Sequence, residues 1–359
     1  MRILVDIGHP AHVHMFKNMI WKLEEDEHEV KITAKDKDVT LNLLDAYEFN
    51  YEFLGKHRTR LASKISGAIK TNYNLYKIAK KFKPDILIGA SGDFYIAQVS
   101  RLMGKPSVIF EDSEQDKSIY WLCEPFVTAI CTPFCFKGKL NPKKHIRYNS
   151  YKELAYLHPN YFKPDSSVLD ELDLGKDDSF VILRFVAWKA AHDIMQKGFN
   201  LETKWKFVNE LEKYHKVFIT SESKLPEEFE KYRITIPPHR IHDLLYYAQM
   251  LIGDTQTMTT EAGILGTPAI RCNSFVGEND MGNFIELEKK YDLIYSYRDP
   301  DKALSKALEL LKTDNLKREW QKKREKLLSE KIDVTKFMVE FIENYPRSFH
   351  ELVQSHKKK

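Results

Sequence analysis

The sequence predicts an α/β protein built from two doubly wound, parallel-sheet domains. Three observations carry that expectation. Short apolar runs of strand length alternate with amphipathic helical stretches, the alternation occurs twice, and a stretch showing neither pattern separates the two series. The chain has 359 residues, more than one hydrophobic core usually fills, so two domains are the default.

The first series opens with a strand over Arg2–Ile7, a loop over Gly8–His14 and a helix from about Met15 to Glu27. His28–Ala34 alternates as a strand, Val39–Tyr47 reads as a helix and Tyr51–Leu54 as a short strand. A long helix over Ile65–Phe82 stops before Pro84; the strand Ile86–Gly89, the helix Tyr95–Met103 and the strand Ser107–Phe110 follow. Between about Tyr148 and Asp178 the pattern breaks at Pro159, Pro164 and Gly175, which predicts an interdomain connector. The second series has strands at Phe180–Phe185, Lys216–Thr220, Met250–Gly253 and Ala269–Cys272, with helices over Leu201–Tyr214, Ile241–Ala248 and Met258–Leu265. Ala303–Leu311, Leu316–Ser329 and Val334–Glu343 read as amphipathic helices.

Composition narrows the function classes. The 56 basic residues nearly balance the 52 acidic ones, which favours no nucleic-acid partner. The Tyr- and Lys-rich stretch Thr71–Lys83 reads as a helix with a wet basic face, not as a base-stacking platform. Four cysteines (Cys123, Cys131, Cys135, Cys272) suit reduced thiols. Cys131 and Cys135 have a spacing that metal sites use, but no second Cys or His pair completes four ligands, so no metal is expected. The apolar run Met1–Gly8 is too short for a secretory signal, and no run is long enough to cross a bilayer. A cytoplasmic protein is expected, with peripheral contact at the inner membrane face left open.

In open α/β sheets, ligands sit outside the carboxyl ends of the strands. The loops that matter are therefore Gly8–His14, Ser91–Asp93, Glu111–Asp116, Ala187–Asp193, Thr220–Lys224 and Asp254–Thr260. The segment Gly253–Arg271, GDTQTMTTEAGILGTPAIR, carries the strongest signal. Asp254 and Thr255 follow the strand Met250–Gly253, and Thr257, Thr259 and Thr260 bring hydroxyls to a helix N-terminus. Free amides and the helix dipole there favour a phosphate. Glu261 can accept two hydroxyls of a ribose diol. The competing structural reading is that the threonines cap the helix.

The first loop carries Gly8, His9, His12 and His14 after a strand. His9 is the candidate general base or phosphate contact, because histidine titrates near neutrality; His12 and His14 serve either the ligand or the helix start. Glu111, Asp112 and Glu114 crowd the end of the Ser107–Phe110 strand. Asp93 and Glu111, on neighbouring strands, can form an acid–base pair, since like charges held close raise one of the two pKa values. Glu278 and Asn283 lie in a polar loop after Arg271–Phe275 and are sugar-binding candidates or a surface turn.

These motifs resemble a known superfamily. Strand, Gly-Asp, Thr-rich loop, Thr-Glu-Ala, Leu-Gly-Thr-Pro, strand and Arg271 are similar to the nucleotide corner of GT-B proteins, in particular the UDP-N-acetylglucosamine 2-epimerase branch. Ala90-Ser91-Gly92-Asp93, Gly104-Lys105-Pro106 and Phe110-Glu111 resemble the epimerase stretch whose Asp and Glu face the sugar. Together with the opening Asp6–Asn18, DIGHPAHVHMFKN, the whole chain resembles the family DUF354.

The resemblance implies a GT-B fold, two Rossmann-like domains facing a central cleft. It divides the chain into a sugar or acceptor domain over 1–165, a nucleotide-sugar domain over 176–333 and a C-terminal helix, 334–359, packing back on the first domain. It also places Arg184, Lys189 and His192 against the diphosphate, and Ser221 and His242 near the nucleotide. The implied activity is a metal-independent glycosyltransferase of surface polysaccharide or glycoconjugate synthesis, with His9 or Asp93 as base. The alternatives are an epimerase or hydrolase of the 2-epimerase type, or a non-catalytic nucleotide-sugar binder. The chain departs from the epimerase pattern at Tyr120–Glu124, where no Asn-Arg pair accompanies the Glu. The expected partners are a nucleotide-sugar substrate, UDP-linked by resemblance, with no separate cofactor, an acceptor sugar or lipid-linked glycan, and a second copy in a homodimer.

Overall fold

The computed structural model describes residues 1–56, 61–115, 117–175, 178–186, 199–221 and 225–356. Contacts divide the chain into two compact units, Met1–Tyr161 with Ile332–Lys359, and Phe162–Lys331.

The first unit runs β1 (Arg2–Ile7), α1 (Pro10–Glu25), β2 (Glu29–Asp36), α2 (Thr40–Ala46), β3 (Tyr51–Lys56), α3 (Leu61–Phe82), β4 (Ile86–Ala90), α4 (Phe94–Met103), β5 (Ser107–Phe110), β6 (Ala129–Pro133), β7 (His145–Tyr148) and α5 (Leu154–Leu157). Its seven strands are parallel, in the order β3-β2-β1-β4-β5-β6-β7. β4, β5 and β6 are buried along their whole length, as sheets covered on both faces require. The order reverses direction between β1 and β4, the kind of switch point at whose carboxyl ends open α/β sheets place their ligands.

The second unit contributes β8 (Phe180–Phe185), α6 (Leu201–Leu211), β9 (Lys216–Ser221), α7 (Ile241–Tyr247), β10 (Met250–Gly253), α8 (Thr257–Leu265), β11 (Ala269–Cys272), α9 (Gly282–Lys289), β12 (Ile294–Tyr297), α10 (Pro300–Leu311) and α11 (Leu316–Glu330). Its five parallel strands follow the order β12-β11-β10-β8-β9, so its switch point lies between β8 and β10. There Gly253 passes so close to Arg184 that a Cβ would run into the Arg184 carbonyl. The C-terminal helices α12 (Val334–Glu343) and α13 (Arg347–His356) complete the first unit. α12 packs on α1 and α5, and both Asn18 and Thr335 donate to the Ala155 carbonyl, at 2.8 and 2.7 Å.

Two local expectations change. α1 begins at Pro10, not near Met15, because proline suits the first helical position and His9 caps it, its Nδ1 accepting from the Ala11 amide at 3.1 Å. The predicted connector after Tyr148 is packed in its first half: Tyr151, Leu154, Tyr156 and Leu157 are buried, and this apolar cluster folds the stretch onto α1. The structure also adds β6, β7, α5, β12, α9 and α13 to the elements that the sequence pattern announces.

Gly253→Ala is expected to cost about 1–3 kcal/mol by overpacking the β8–β10 contact, read as a lower midpoint in urea unfolding.

Candidate functional site

At the first switch point the strand ends bring charged side chains together. Asp6, in the apolar run that follows Arg2 in β1, is fully buried. Thr33 donates to its Oδ1 at 2.6 Å and Lys35 to its Oδ2 at 3.1 Å. The Lys35 ammonium also lies 3.8 Å from the centre of the Tyr95 ring. Burial alone lowers the Lys35 pKa, but Asp6 and Asp93 reverse the direction and raise it.

Asp93 caps α4, its Oδ1 accepting from the Ile96 amide. Its carboxyl folds back under β4 because Gly89 leaves room; a Cβ there would stand 2.5 Å from Asp93 Oδ2. Burial, then the neighbouring Asp6 carboxyl, push Asp93 well above the usual carboxylate range. The Asp93 carboxyl is therefore biased towards its protonated form against the Asp6 carboxyl, beside Lys35.

One strand over, Glu111 is buried. Its Oε1 accepts from the Ser91 hydroxyl at 2.5 Å and from the amides of Asp112 and Ser113 at 2.9 and 2.7 Å. An oxygen with three donors is arranged as a carboxylate acceptor. The oxygen of half-buried Ser91 also lies 3.0 Å from Asp112 Oδ1, and Asp112 pairs with Lys152 at 2.6 Å. Asp93 and Glu111 thus occupy neighbouring strand ends in different surroundings. One is crowded by a second carboxyl, and the other is ringed by hydrogen-bond donors.

The histidines divide. His9 accepts a backbone amide at Nδ1, so its neutral ring carries the proton on Nε2 and presents a donor. That geometry suits a phosphate contact and disfavours His9 as a general base. His12 does the same through Nδ1, accepting from the Gly8 amide at 3.4 Å. Burial, with Lys152, Lys37 and Lys35 nearby, brings its pKa down to about 3. His14 instead packs between Tyr47 and Tyr156 on the α2–α5 side, and its Nδ1 lies 3.4 Å from the Tyr47 hydroxyl.

In the second unit, Asp254 is structural glue at the switch point. Its Oδ1 accepts from the Val186 amide at 2.8 Å and its Oδ2 from the Phe199 amide at 3.3 Å. α8 starts at Thr257, and Gln256 at its N-cap position makes no side-chain capping hydrogen bond. Thr259 is fully buried and donates to the Thr255 carbonyl at 2.9 Å. Thr260 is also buried, with Asn283 Nδ2 3.4 Å from its hydroxyl. Half-buried Thr257 and the first-turn amides are the groups that remain to meet an anion.

Glu261 pairs with His242 at 3.1 Å, both buried. Arg184 donates to Thr220 at 2.9 Å, one residue before half-buried Ser221. Glu278 is exposed in a turn. Lys189 and His192 lie outside the described residues. Sequence reasoning missed Asp6, Lys35 and Lys152; a lone carboxylate in the apolar run of β1 was the available signal. Among the described residues no His, Cys, Asp or Glu group is arranged to hold a metal, and no helix is long and apolar enough to cross a membrane.

Two parallel sheets, each with its switch point and strand-end loops, define an α/β protein of the GT-B type. Within that class the chain belongs to the DUF354 family, described as a protein of unknown function, which matches residues 1–347. An uncharacterized protein of Methanocaldococcus jannaschii, MJ0665, is 23% identical over 286 residues, 75% of this chain and 81% of that protein. Among solved structures, the Neisseria meningitidis UDP-GlcNAc 2-epimerase bound to UDP-GlcNAc is similar with a TM-score of 0.66 at 14% identity, covering 95% of this chain and 99% of that one. The spinosyn forosaminyltransferase SpnP is similar with a TM-score of 0.64 at 14% identity, covering 99% of each chain. At such identities these likenesses concern the fold.

Two stability measurements test the protonation states. Folding holds a proton on Asp93 that the unfolded chain gives up. That contribution is complete below the unfolded pKa and is lost as pH rises through the folded one. Asp93→Asn, which keeps the cap and a donor, is expected to melt above the wild type at ~pH 8, the gap closing towards ~pH 4. His12 has the opposite sign. Its neutral ring contributes stability above the usual histidine pKa that is lost as pH falls towards about 3. His12→Asn is expected to flatten acid destabilisation across that window, measured by urea titrations at stepped pH.

Proposed function

We propose that the protein is an enzyme acting on a sugar nucleotide, with a UDP-linked sugar as the first candidate, in surface polysaccharide or glycoconjugate synthesis. The nucleotide diphosphate is assigned to the uncapped N-terminus of α8, at Thr257 and the first-turn amides, with buried Glu261 on the ribose. Proton transfer at the sugar is assigned to Asp93 and Glu111. The observation that carries this reading is the contrast between those two carboxyls on adjacent strand ends. Asp93 is pushed towards its protonated form by burial and by Asp6, whereas Glu111 accepts from the Ser91 hydroxyl. Acid and base assignments follow where environments push paired groups apart.

An acid and a base side by side support proton relocation on the sugar itself, as an epimerase or hydrolase performs. The fold shared with the Neisseria enzyme, an epimerase bound to UDP-GlcNAc, supports the same reading. Glycosyl transfer is the second reading, with Glu111 as base. It is favoured by Glu124, which is engaged with the Asn141 amide at 2.5 Å in a segment lacking the epimerase Asn-Arg context.

The test has two stages. UDP-, GDP-, CDP- and TDP-sugars are compared for thermal stabilisation, and at least one is expected to raise the melting temperature; if none does, the nucleotide assignment is wrong. The stabilising sugar nucleotide is then incubated in deuterated water without an acceptor, and deuterium entering a sugar carbon is followed by NMR. Glu111→Gln and Asp93→Asn are each expected to slow that exchange by roughly 10²–10⁴-fold while leaving the thermal shift intact. Binding without exchange, joined by turnover once an acceptor is added, would establish the transferase instead.

A further inference from the structure

The first unit carries an apolar surface that its own fold does not cover. A hydrogen-bonded relay ties three segments together there. Asn72 of α3 donates to Gln98 of α4 at 2.8 Å, and Gln98 donates to the Leu122 carbonyl at 3.3 Å, in the wide turn Ile119–Cys123. Around that relay the large apolar side chains point outward. Ile69 and Tyr73 flank Asn72 on α3 and are 68% and 61% exposed. Leu102, one turn beyond Gln98, is 74% exposed, and Trp121, beside Leu122, is 79% exposed. Single exposed apolar residues are ordinary, but several on packed neighbouring segments mark an interaction surface.

The charge around the patch is mainly positive. From Ile69 to Phe82, α3 carries Lys70, Lys77, Lys80 and Lys81 and no Asp or Glu, and all four lysines are exposed. Arg101 stands exposed beside Leu102. Lys144 donates to the carbonyls of Glu124 and Pro125 at 2.6 and 3.2 Å, at the far end of the wide turn. A carboxylate in this neighbourhood, Glu124, is taken up by the Asn141 amide. A second copy docking through α3 would set lysine against lysine. An anionic surface meets the lysines with the opposite sign, while Trp and Tyr are the side chains that settle at a membrane interface, with an apolar body and a polar edge.

We infer that the α3–α4 face around Trp121 and Leu102 docks the protein on the surface of an anionic lipid bilayer. The apolar side chains enter the headgroup layer and the α3 lysines lie over the phosphates. The inference stands apart from the catalytic reading, because none of these residues belongs to the strand-end site and the readout is binding to lipid.

The experiment is co-sedimentation of the full chain with vesicles of phosphatidylcholine, with and without phosphatidylglycerol. Binding is expected to the anionic vesicles and to fall as salt rises from ~50 to ~500 mM. Lys70→Gln and Lys77→Gln are each expected to weaken it roughly fivefold. Leu102→Ser with Trp121→Ser, both at exposed positions, is expected to abolish it while the melting temperature holds. Equal binding to neutral vesicles, or anionic binding that the double variant retains, would overturn the inference. So would a homodimer, measured by light scattering, that binds no vesicles and that the double variant turns into monomers.

Discussion

A carboxylate buried at the end of an apolar strand must find a cation or keep a proton, and much of the first unit is arranged around how Asp6 meets that demand. Lys35 supplies the cation from β2, Thr33 fills the other oxygen, and the Asp93 carboxyl, crowded by the same group, is pushed towards its protonated form. The arrangement needs three adjacent strands in one register, with Asp6 paired to Thr33 across β1 and β2. It also needs glycine at position 89, where a side chain would displace the Asp93 carboxyl. Replacing Asp6 or Lys35 leaves the other with an uncompensated buried charge, so the cluster ties sheet register to charge pairing.

The same logic sorts the histidines of the first loop. Three imidazoles after a strand look alike in sequence, yet their surroundings give them different work. His9 commits Nδ1 to a cap, His12 is kept neutral by burial among lysines, and His14 is an aromatic packing partner. Titration near neutrality is a property of free imidazole, and the first turn of α1 removes it from His12.

Much of the fold was legible because strands and helices announced themselves through period. β1, β5, β8, β10, β11 and α12 carry the bounds read from the sequence. β6 and β7 escaped because they are short, β6 ending on Pro133 and β7 carrying the polar His145 and Arg147, and β12 because Ile294–Tyr297 ends in polar and aromatic residues with no alternation to betray it. At the site, Asp93 and Glu111 were legible as carboxylates following strands. Which one keeps the proton was not, since that depends on Asp6, Lys35 and Ser91 arriving from other parts of the chain. The threonines of α8 show the same limit. Their spacing suggested three equivalent hydroxyls, but helix geometry turns Thr259 inward onto the Thr255 carbonyl.

Asp254 holds a further consequence. Its two oxygens take the amides of Val186 and Phe199, so one side chain after β10 fastens both the residue that follows β8 and a residue just before α6. Two amides share one anchor, and a change at Asp254 releases both at once, at a cost of about 1–3 kcal/mol for each amide left without a partner. The switch point of the second unit is in this sense keyed to a single carboxylate, and the two fastened segments keep or lose their spacing together.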